Sequence, residues 1–366
     1  MKNETSPNGR TGDAPGHECT SWLAMPDITG GKYMLLHKNR DSDSKRICLN
    51  LGAPEGKNSW MSVSSPDLYG VNVGVSSKGL AVAMNSGDLS DGQSFGPGLH
   101  TVEIAQKMLE ECNDADEAAA LLHRMFETKN YYHKKRGSIW FIADARKAMI
   151  AEHDLLRYAI HEISGGFAVR ANVWHYPEMI LYSQRTKKEL IENHWRECYV
   201  RDAIFETGAA YAEPVTVEKF AVASRQDKIE EMPDAPPVCG VRTNSAATIA
   251  VDCEYPEQLS TMYAAFGPPQ FTAYLPIPAV RRDFAPELLD GTFGDAIFAR
   301  RDAGRELLPP DELTAFEGEM NRRHAEAVEK ARAVLKNGGS AAESKTILDA
   351  AYEQNWKALR DLSAGK

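Results

Sequence analysis

The sequence predicts an α+β fold, with sheets of mainly antiparallel strands that carry helices on their outer faces. Three observations point there. Short apolar runs bounded by turn residues fill 19–100, 138–171 and 246–275, as strands do. Apolar residues at helical spacing fill stretches between them, over 101–126 and 184–224, as amphipathic helices do. The resulting order is strands, helices, strands, helices, strands. It lacks the regular alternation of a doubly wound parallel sheet.

The elements follow in order. Runs 21–25 and 33–37 flank the turn Asp27-Ile28-Thr29-Gly30-Gly31 and form a hairpin. Cys19 stands at its free end, and segment 39–41 follows its second strand. Antiparallel pairing returns that segment close to Cys19. Runs 69–75 and 79–85 pair around Ser76-Ser77-Lys78. Ile104, Ala105, Met108, Leu109 and Cys112 recur at helical spacing, and Asp114 with Glu117 resembles a capping box opening a second helix over 118–126. Strands return at 138–143, 148–153, 157–163 and 166–171, the first two joined by Asp144-Ala145-Arg146-Lys147. A longer helix covers 184–207 with Leu190, Ile191, His194, Trp195 and Cys198 on one side, and a shorter one covers 215–224. Three more strands, 246–251, 261–265 and 271–275, end at Pro276 and Pro278. From 311 onward the chain is charged and helical, divided by Gly338-Gly339. The expected division is a flexible leader over 1–18, a main domain over 19–310 and a helical extension over 311–366.

Composition narrows the function. The chain has 366 residues and a net charge of −10. That balance argues against nucleic acid, because phosphate binding needs concentrated Lys and Arg. No apolar run approaches the ~20 residues that span a bilayer. No GxGxxG follows a strand and no GxxxxGK[ST] occurs, so nucleotide binding has no motif. The six cysteines, Cys19, Cys48, Cys112, Cys198, Cys239 and Cys253, form no CxxC pair, and His17, His133, His153, His161, His175 and His194 show no HExxH spacing. No metal and no cofactor are expected. The leader lacks the apolar core of an export signal, so reduced thiols and a cytoplasmic location are expected. Cys112 and Cys198 read as small core residues.

Cys19 is the residue with the sharpest chemistry. After a polar leader ending at Glu18, it is placed to become the first residue of a mature chain. It would then carry a thiol and an α-amine whose ordinary pKa values, ~8.5 and ~8, are nearly matched. A nucleophile activated by an N-terminal amine is an established arrangement. Asp41 is the candidate carboxylate to hold that amine. Lys38 and Arg40 are candidates to support a thiolate by positive charge. Asn172 closes the run Gly166-Phe167-Ala168-Val169-Arg170-Ala171, and Asn85 ends another strand. Amides at strand ends hydrogen-bond both an amine and an oxyanion. Arg242, in Val241-Arg242-Thr243-Asn244-Ser245, anchors a substrate carboxylate, biases the thiol or forms a structural ion pair. Trp174 and Tyr176 beside Asn172 are candidate pocket walls.

Together these segments resemble the acyl-coenzyme A:isopenicillin-N acyltransferase-like and choloylglycine hydrolase-related branch of the N-terminal nucleophile (Ntn) hydrolases. The matching pieces, in family order, are Cys19-Thr20-Ser21 and Leu35-Leu36-His37-Lys38-Asn39-Arg40-Asp41. Tyr69-Gly70-Val71-Asn72 and Lys78-Gly79-Leu80-Ala81-Val82-Ala83-Met84-Asn85 come next. Val169-Arg170-Ala171-Asn172, Val241-Arg242-Thr243-Asn244-Ser245 and Met262-Tyr263-Ala264-Ala265-Phe266-Gly267-Pro268-Pro269 complete the series. The resemblance spans about 19–280. It implies a four-layer α-β-β-α sandwich of two mainly antiparallel sheets and self-cleavage between Glu18 and Cys19. It also implies Cys19 as nucleophile, its α-amine as base and Asp41 as the group orienting the amine. Asn172 and Asn85 would serve the oxyanion region, and Arg242 would support the nucleophile. Bile-salt hydrolases favour Arg-Asn where this chain reads Lys38-Asn39, so Arg40 is the compensating candidate. The 18-residue leader is far shorter than the fungal acyltransferase propeptide, and 311–366 has no counterpart.

The implied activity is cleavage of a linear amide through an acyl-Cys19 thioester, resolved by water or by transfer to an amine. The amide would be an acyl-amide, an N-acyl amino acid or a small peptide. The alternatives are a conventional Cys-His hydrolase with its leader intact and a non-catalytic small-molecule or peptide binder on the same scaffold. The expected partner is the amide or peptide substrate, with no nucleic acid and no membrane. A homo-oligomer contact through the C-terminal helices stays open.

Overall fold

The computed structural model describes residues 19–66, 68, 70–89, 98–132, 136–154, 156–205, 213–228 and 236–365. The leader with His17 and Glu18, and also Tyr69 and His133, lie outside the described residues. In chain order the strands are β1 (Thr20–Ala24), β2 (Tyr33–Asp41), β3 (Cys48–Gly52), β4 (Trp60–Ser64), β5 (Val73–Ser76), β6 (Ala81–Leu89), β7 (Leu99–His100) and β8 (Tyr131–Tyr132). They continue with β9 (Arg136–Ala143), β10 (Ala148–His153), β11 (Tyr158–Glu162), β12 (Phe167–Arg170), β13 (Thr243–Asp252), β14 (Thr261–Ala265) and β15 (Leu275–Pro278). The helices are α1 (Thr101–Glu111), α2 (Ala115–Glu127), α3 (Pro177–Ile180), α4 (Lys187–Phe205) and α5 (Val217–Ser224). After them come α6 (Pro256–Leu259), α7 (Pro286–Leu289), α8 (Thr292–Asp302), α9 (Pro310–Lys336) and α10 (Ala341–Ser363).

Two antiparallel sheets form the centre. One runs β12-β1-β2-β13-β14-β15, the other β11-β10-β9-β6-β5-β4-β3. Strand alternation builds the layers. On β1 and β2, Leu23, Met34 and Leu36 face the second sheet and join its Val73, Ala81, Ala83 and Phe141. Trp22, Ala24 and Leu35 face outward and meet Val200, Ile204 and Phe220 of α4 and α5. On the second sheet Val82, Met84, Trp140 and Ile142 face outward onto α1 and α2. The order is therefore helix, sheet, sheet, helix, as the expected sandwich requires. The C-terminal helices add Leu313, Met320, Tyr352, Trp356 and Leu359 to the central apolar cluster.

Several boundaries differ from the sequence reading. Segment 39–41 does not follow β2 but is its last part, and Asn85 lies within β6 rather than at its end. The last strand is not 271–275 but β15, which contains Pro276 and Pro278. It is an edge strand of its sheet, where a missing N–H costs no ladder bond. Asp114 caps α2 by accepting from Glu117 N, but Glu117 reaches back to Asn113 N, so the box is only half formed. The largest correction is α4. Its buried residues are Asn193, Arg196, Glu197, Val200 and Ile204, while Ile191 is exposed and Cys198 only partly covered. The polar groups win the inward face because they bond to the strand end beside β1. Trp174 belongs to the central core. Gly137 makes room for it, since a Cβ there would meet His153 O at 2.3 Å and the Trp174 ring at 2.6 Å.

Candidate active site

Cys19 directly precedes β1 and is buried at 4% exposure. The β1–β2 register pairs Thr20 with Asn39 and Ser21 with Lys38. The β1–β12 register pairs Ser21 with Arg170. The ladders end there, at Thr20–Asn39 and Ser21–Arg170, so Cys19 lies one residue beyond the paired strands, at the end of the sheet from which Arg40 and the 171–172 segment also continue. Alternation then puts Ser21, Lys38 and Arg40 on the face toward the second sheet, and Asn85 on β6 faces back at Ser21 and Lys38.

These groups form a buried polar seam at one end of an otherwise apolar layer. Lys38 is fully buried, and its Nζ donates to Met84 O at 2.7 Å and Asn85 Oδ1 at 2.8 Å. Ser21 Oγ donates to the same Oδ1 at 2.7 Å. Because the lysine only donates, it fixes which end of the Asn85 amide is oxygen. Asn85 Nδ2 then donates to Arg170 O and Ala171 O at 3.0 and 3.1 Å. Asn85 is thus a strut between the sheets with both amide hydrogens committed. Arg40 Nη1 donates to Ser65 Oγ at 2.9 Å, tying β2 to the residue after β4.

Asn172 differs. Its Nδ2 donates once, to Ser86 O at 2.7 Å, and carries a second hydrogen. Its Oδ1 accepts from Arg196 Nη2 at 3.1 Å. Arg196 is fully buried, donates also to Asn193 Oδ1 at 2.6 Å, and reaches Thr20 Oγ1 at 3.5 Å. Asn193 Oδ1 accepts from Asn172 N at 3.0 Å, and Glu197 accepts from Ala171 N at 2.8 Å. The inward face of α4 therefore clamps residues 171–172. Hydrophobic periodicity gives no signal for this clamp. The only hint in the sequence is the polar trio Asn193, Arg196 and Glu197 at spacing three and four, which marks one helix face.

Asp41 ends β2 opposite Thr243, and Thr243 Oγ1 donates to its Oδ1 at 2.6 Å. Arg242 adjoins this pair. Its carbonyl accepts from Ser42 N at 3.0 Å, and its guanidinium pairs with Asp43 at 3.0 Å. That pair is solvent-exposed and worth at most about 1 kcal/mol, so it sets little of the guanidinium's position.

The other thiols are poor nucleophiles. Burial first, and then the nearby Asp41 carboxylate, pushes Cys239 up to about 12. Burial likewise pushes Cys112 and Cys253 up to about 11, and Cys48 donates to Ser64 O. Thiolate chemistry near neutral pH is disfavoured at such values. His37, nearest in sequence to the seam, points the other way. Its ring stacks on Trp22 at 4.0 Å and both nitrogens are bonded, to Thr248 and Asn39. Among the described residues, no group of three or more His, Cys, Asp or Glu is arranged to hold a metal, and no helix is long and apolar enough to cross a membrane.

No protein-family profile and no curated protein matches the chain. Solved structures do. A Caenorhabditis elegans ortholog of N-acylethanolamine-hydrolyzing acid amidase aligns over 66% of this chain and 98% of its own, at 14% identity and a TM-score of 0.42. A mutant conjugated bile acid hydrolase from Clostridium perfringens aligns over 72% and 93%, at 12% identity and a TM-score of 0.47. A second variant of that hydrolase covers 70% and 89%, at 12% identity and a TM-score of 0.43.

Proposed function

We propose that this chain is an Ntn-type amide hydrolase whose nucleophile is the Cys19 thiol, freed with its α-amine by cleavage after Glu18. The observation that supports this is the register: Cys19 directly precedes β1, whose paired neighbours end at Asn39 and Arg170, next to Arg40 and to the clamped 171–172 segment, at the polar end of the inter-sheet layer. The antiparallel β1–β2 pair brings the end that carries Cys19 to the end that carries Asp41, which supports Asp41 as the carboxylate for a new α-amine. Asp41 would hold and orient it, as Thr243 in turn orients Asp41.

In the proposed reaction the α-amine takes the thiol proton and the thiolate attacks the amide carbonyl. The spare Nδ2 hydrogen of Asn172 is the side-chain donor offered to the oxyanion, and the Asn85 strut keeps the strand ends at fixed spacing. The amine product leaves with the proton. Water, activated by the same α-amine, then hydrolyses the thioester. Transfer to a second amine uses the same intermediate. Lys38 and Arg40 would supply positive charge to the thiol, and Arg242, just before β13, is the candidate to support substrate or nucleophile. The conventional Cys-His mechanism is less well supported, because His37 faces the helix layer with both nitrogens engaged.

Mass spectrometry of the intact protein incubated with a set of linear acyl-amides tests the proposal. The expected species begin at Cys19 and carry an acyl group on it, and Cys19→Ala forms no adduct. Turnover by Cys19→Ala, or full activity with the leader retained, overturns the mechanism. Failure of an electrophilic amide probe to label Cys19 favours a binding protein.

A further inference from the structure

A second site lies across the first sheet from Cys19. The outer faces of β2, β13 and β14, the residues leading into α5 and one side of α9 enclose a cleft of about 1030 Å³. Tyr33 and Leu35 line it from β2, on the opposite face from Lys38 and Arg40. Its walls are mostly apolar, with Val215, Tyr263 and Val328 among them. Pockets for small organic ligands span roughly 300–1,000 Å³, so this one takes a ligand with a long chain or fused rings.

Two side chains on α9 give its polar end a definite character. His324 lines the cleft and is 1% exposed. Thr261 Oγ1 donates to Leu259 O at 3.3 Å and lies 2.9 Å from His324 Nε2. With the Thr261 hydrogen on Leu259 O, the imidazole Nε2–H donates to the threonine, and Nδ1 is left as an acceptor in that tautomer. That Nδ1 is buried and has no hydrogen-bond partner. Asn321 also lines the cleft, one turn earlier on the same helix face. Its Nδ2 donates to Glu218 at 2.8 Å, and its Oδ1 is a second buried acceptor without a partner. Buried polar atoms are rarely left this way, since each costs about 1–3 kcal/mol. Burial holds His324 down to about 4, so the ring stays neutral and cannot attract an anion.

We propose that this cleft binds a neutral, largely apolar small molecule through a hydroxyl or amide N–H that donates to His324 Nδ1 or Asn321 Oδ1. A carboxylate is rejected for three reasons. Both uncommitted groups are acceptors, Glu218 stands beside one of them, and the rim charges balance, with Lys32, Arg322 and Lys330 against Glu218, Glu326 and Glu329.

Calorimetric titration of the full-length chain tests this with three matched probes: 1-decanol, 1-methoxydecane and decanoate. The alcohol donates a hydrogen bond, the ether cannot, and the acid is charged. The alcohol is expected to saturate one site, with the ether and decanoate about 10-fold weaker or worse. Ala325→Trp, at an exposed position lining the cleft, narrows it and weakens alcohol binding without disturbing the core. His324→Phe or Asn321→Leu weakens the alcohol about 3–10-fold and leaves the ether unchanged. An alcohol that fails to saturate, an ether or decanoate that equals it, or alcohol binding that is unchanged by Ala325→Trp, His324→Phe and Asn321→Leu alike overturns the proposal.

Discussion

His37 and His324 are kept uncharged by burial, at about 3 and about 4 against an ordinary 6.5. In the unfolded chain both take up a proton below 6.5, whereas in the folded chain they do not. Stability is therefore unaffected by them above pH 6.5 and falls as the pH drops from 6.5 toward 4. Each contributes a slope of up to about 1.4 kcal/mol per pH unit in that window. Urea unfolding midpoints measured from pH 7.5 to 4.5 should fall accordingly, and His37→Phe should flatten the curve. A midpoint independent of pH across that window contradicts the burial of both rings. The remaining hydrogen bonds of His37, to Thr248 and Asn39, explain why a polar ring sits in an apolar layer at all.

At the scale of elements, α4 is the part whose contribution is least like its sequence pattern. Most helices here bury aliphatic stripes, as α1 does with Val102, Ile104, Ala105, Met108 and Leu109. α4 instead buries Arg196 among Thr20, Asn172 and Asn193. Its guanidinium fixes the oxygen of the Asn172 amide and so aims the amide nitrogen. Arg196→Gln should lower kcat about 10²–10³-fold if Asn172 serves the oxyanion, with KM little changed. Arg196→Lys, which keeps the charge but loses the planar fork, should recover only part of it. A fall in KM-dependent binding alone, with kcat intact, assigns Arg196 a structural role. Circular dichroism and thermal unfolding of the same variants separate misfolding from misaligned chemistry.

For the molecule as a whole, the C-terminal helices are part of the core rather than an appendage on it. Leu313, Met320, Tyr352, Trp356 and Leu359 sit in the cluster that fills the space between the sheets. Each large apolar side chain contributes about 1.5–3 kcal/mol when fully buried. Five of them approach the whole net stability of an ordinary domain, about 5–15 kcal/mol. Largely buried ion pairs add to this: Arg225, at the end of α5, with Glu317 of α9, and Arg332 of α9 with Asp252 of β13. A chain ending before Pro310 should therefore be insoluble or lack a cooperative unfolding transition. A soluble, cooperatively folding truncation refutes this account of 311–366.

Much of this architecture is legible in the sequence because it follows from local periodicity. The short apolar runs of β9, β10 and β14, the helical spacing of α1 and α2, and the Gly338-Gly339 break between α9 and α10 need no tertiary information. The order Cys19, Asp41, Asn85, Asn172, Arg242 is likewise a property of the chain alone. Tertiary structure decided what alternation and spacing leave degenerate. A polar residue on a strand reads as solvent-facing unless its partner across the layer is known, so Lys38 and Arg40 look like surface groups until Asn85 and Ser65 arrive from the other sheet. A helix with polar residues on one face reads as apolar on the other, so α4 is read upside down until Asn172 is seen waiting for Arg196. Prolines read as strand breakers unless the strand lies at an edge, as β15 does. In each case the missing quantity is a non-local hydrogen-bond partner. Burying a polar group is favourable only when that partner is supplied by a segment far away in sequence.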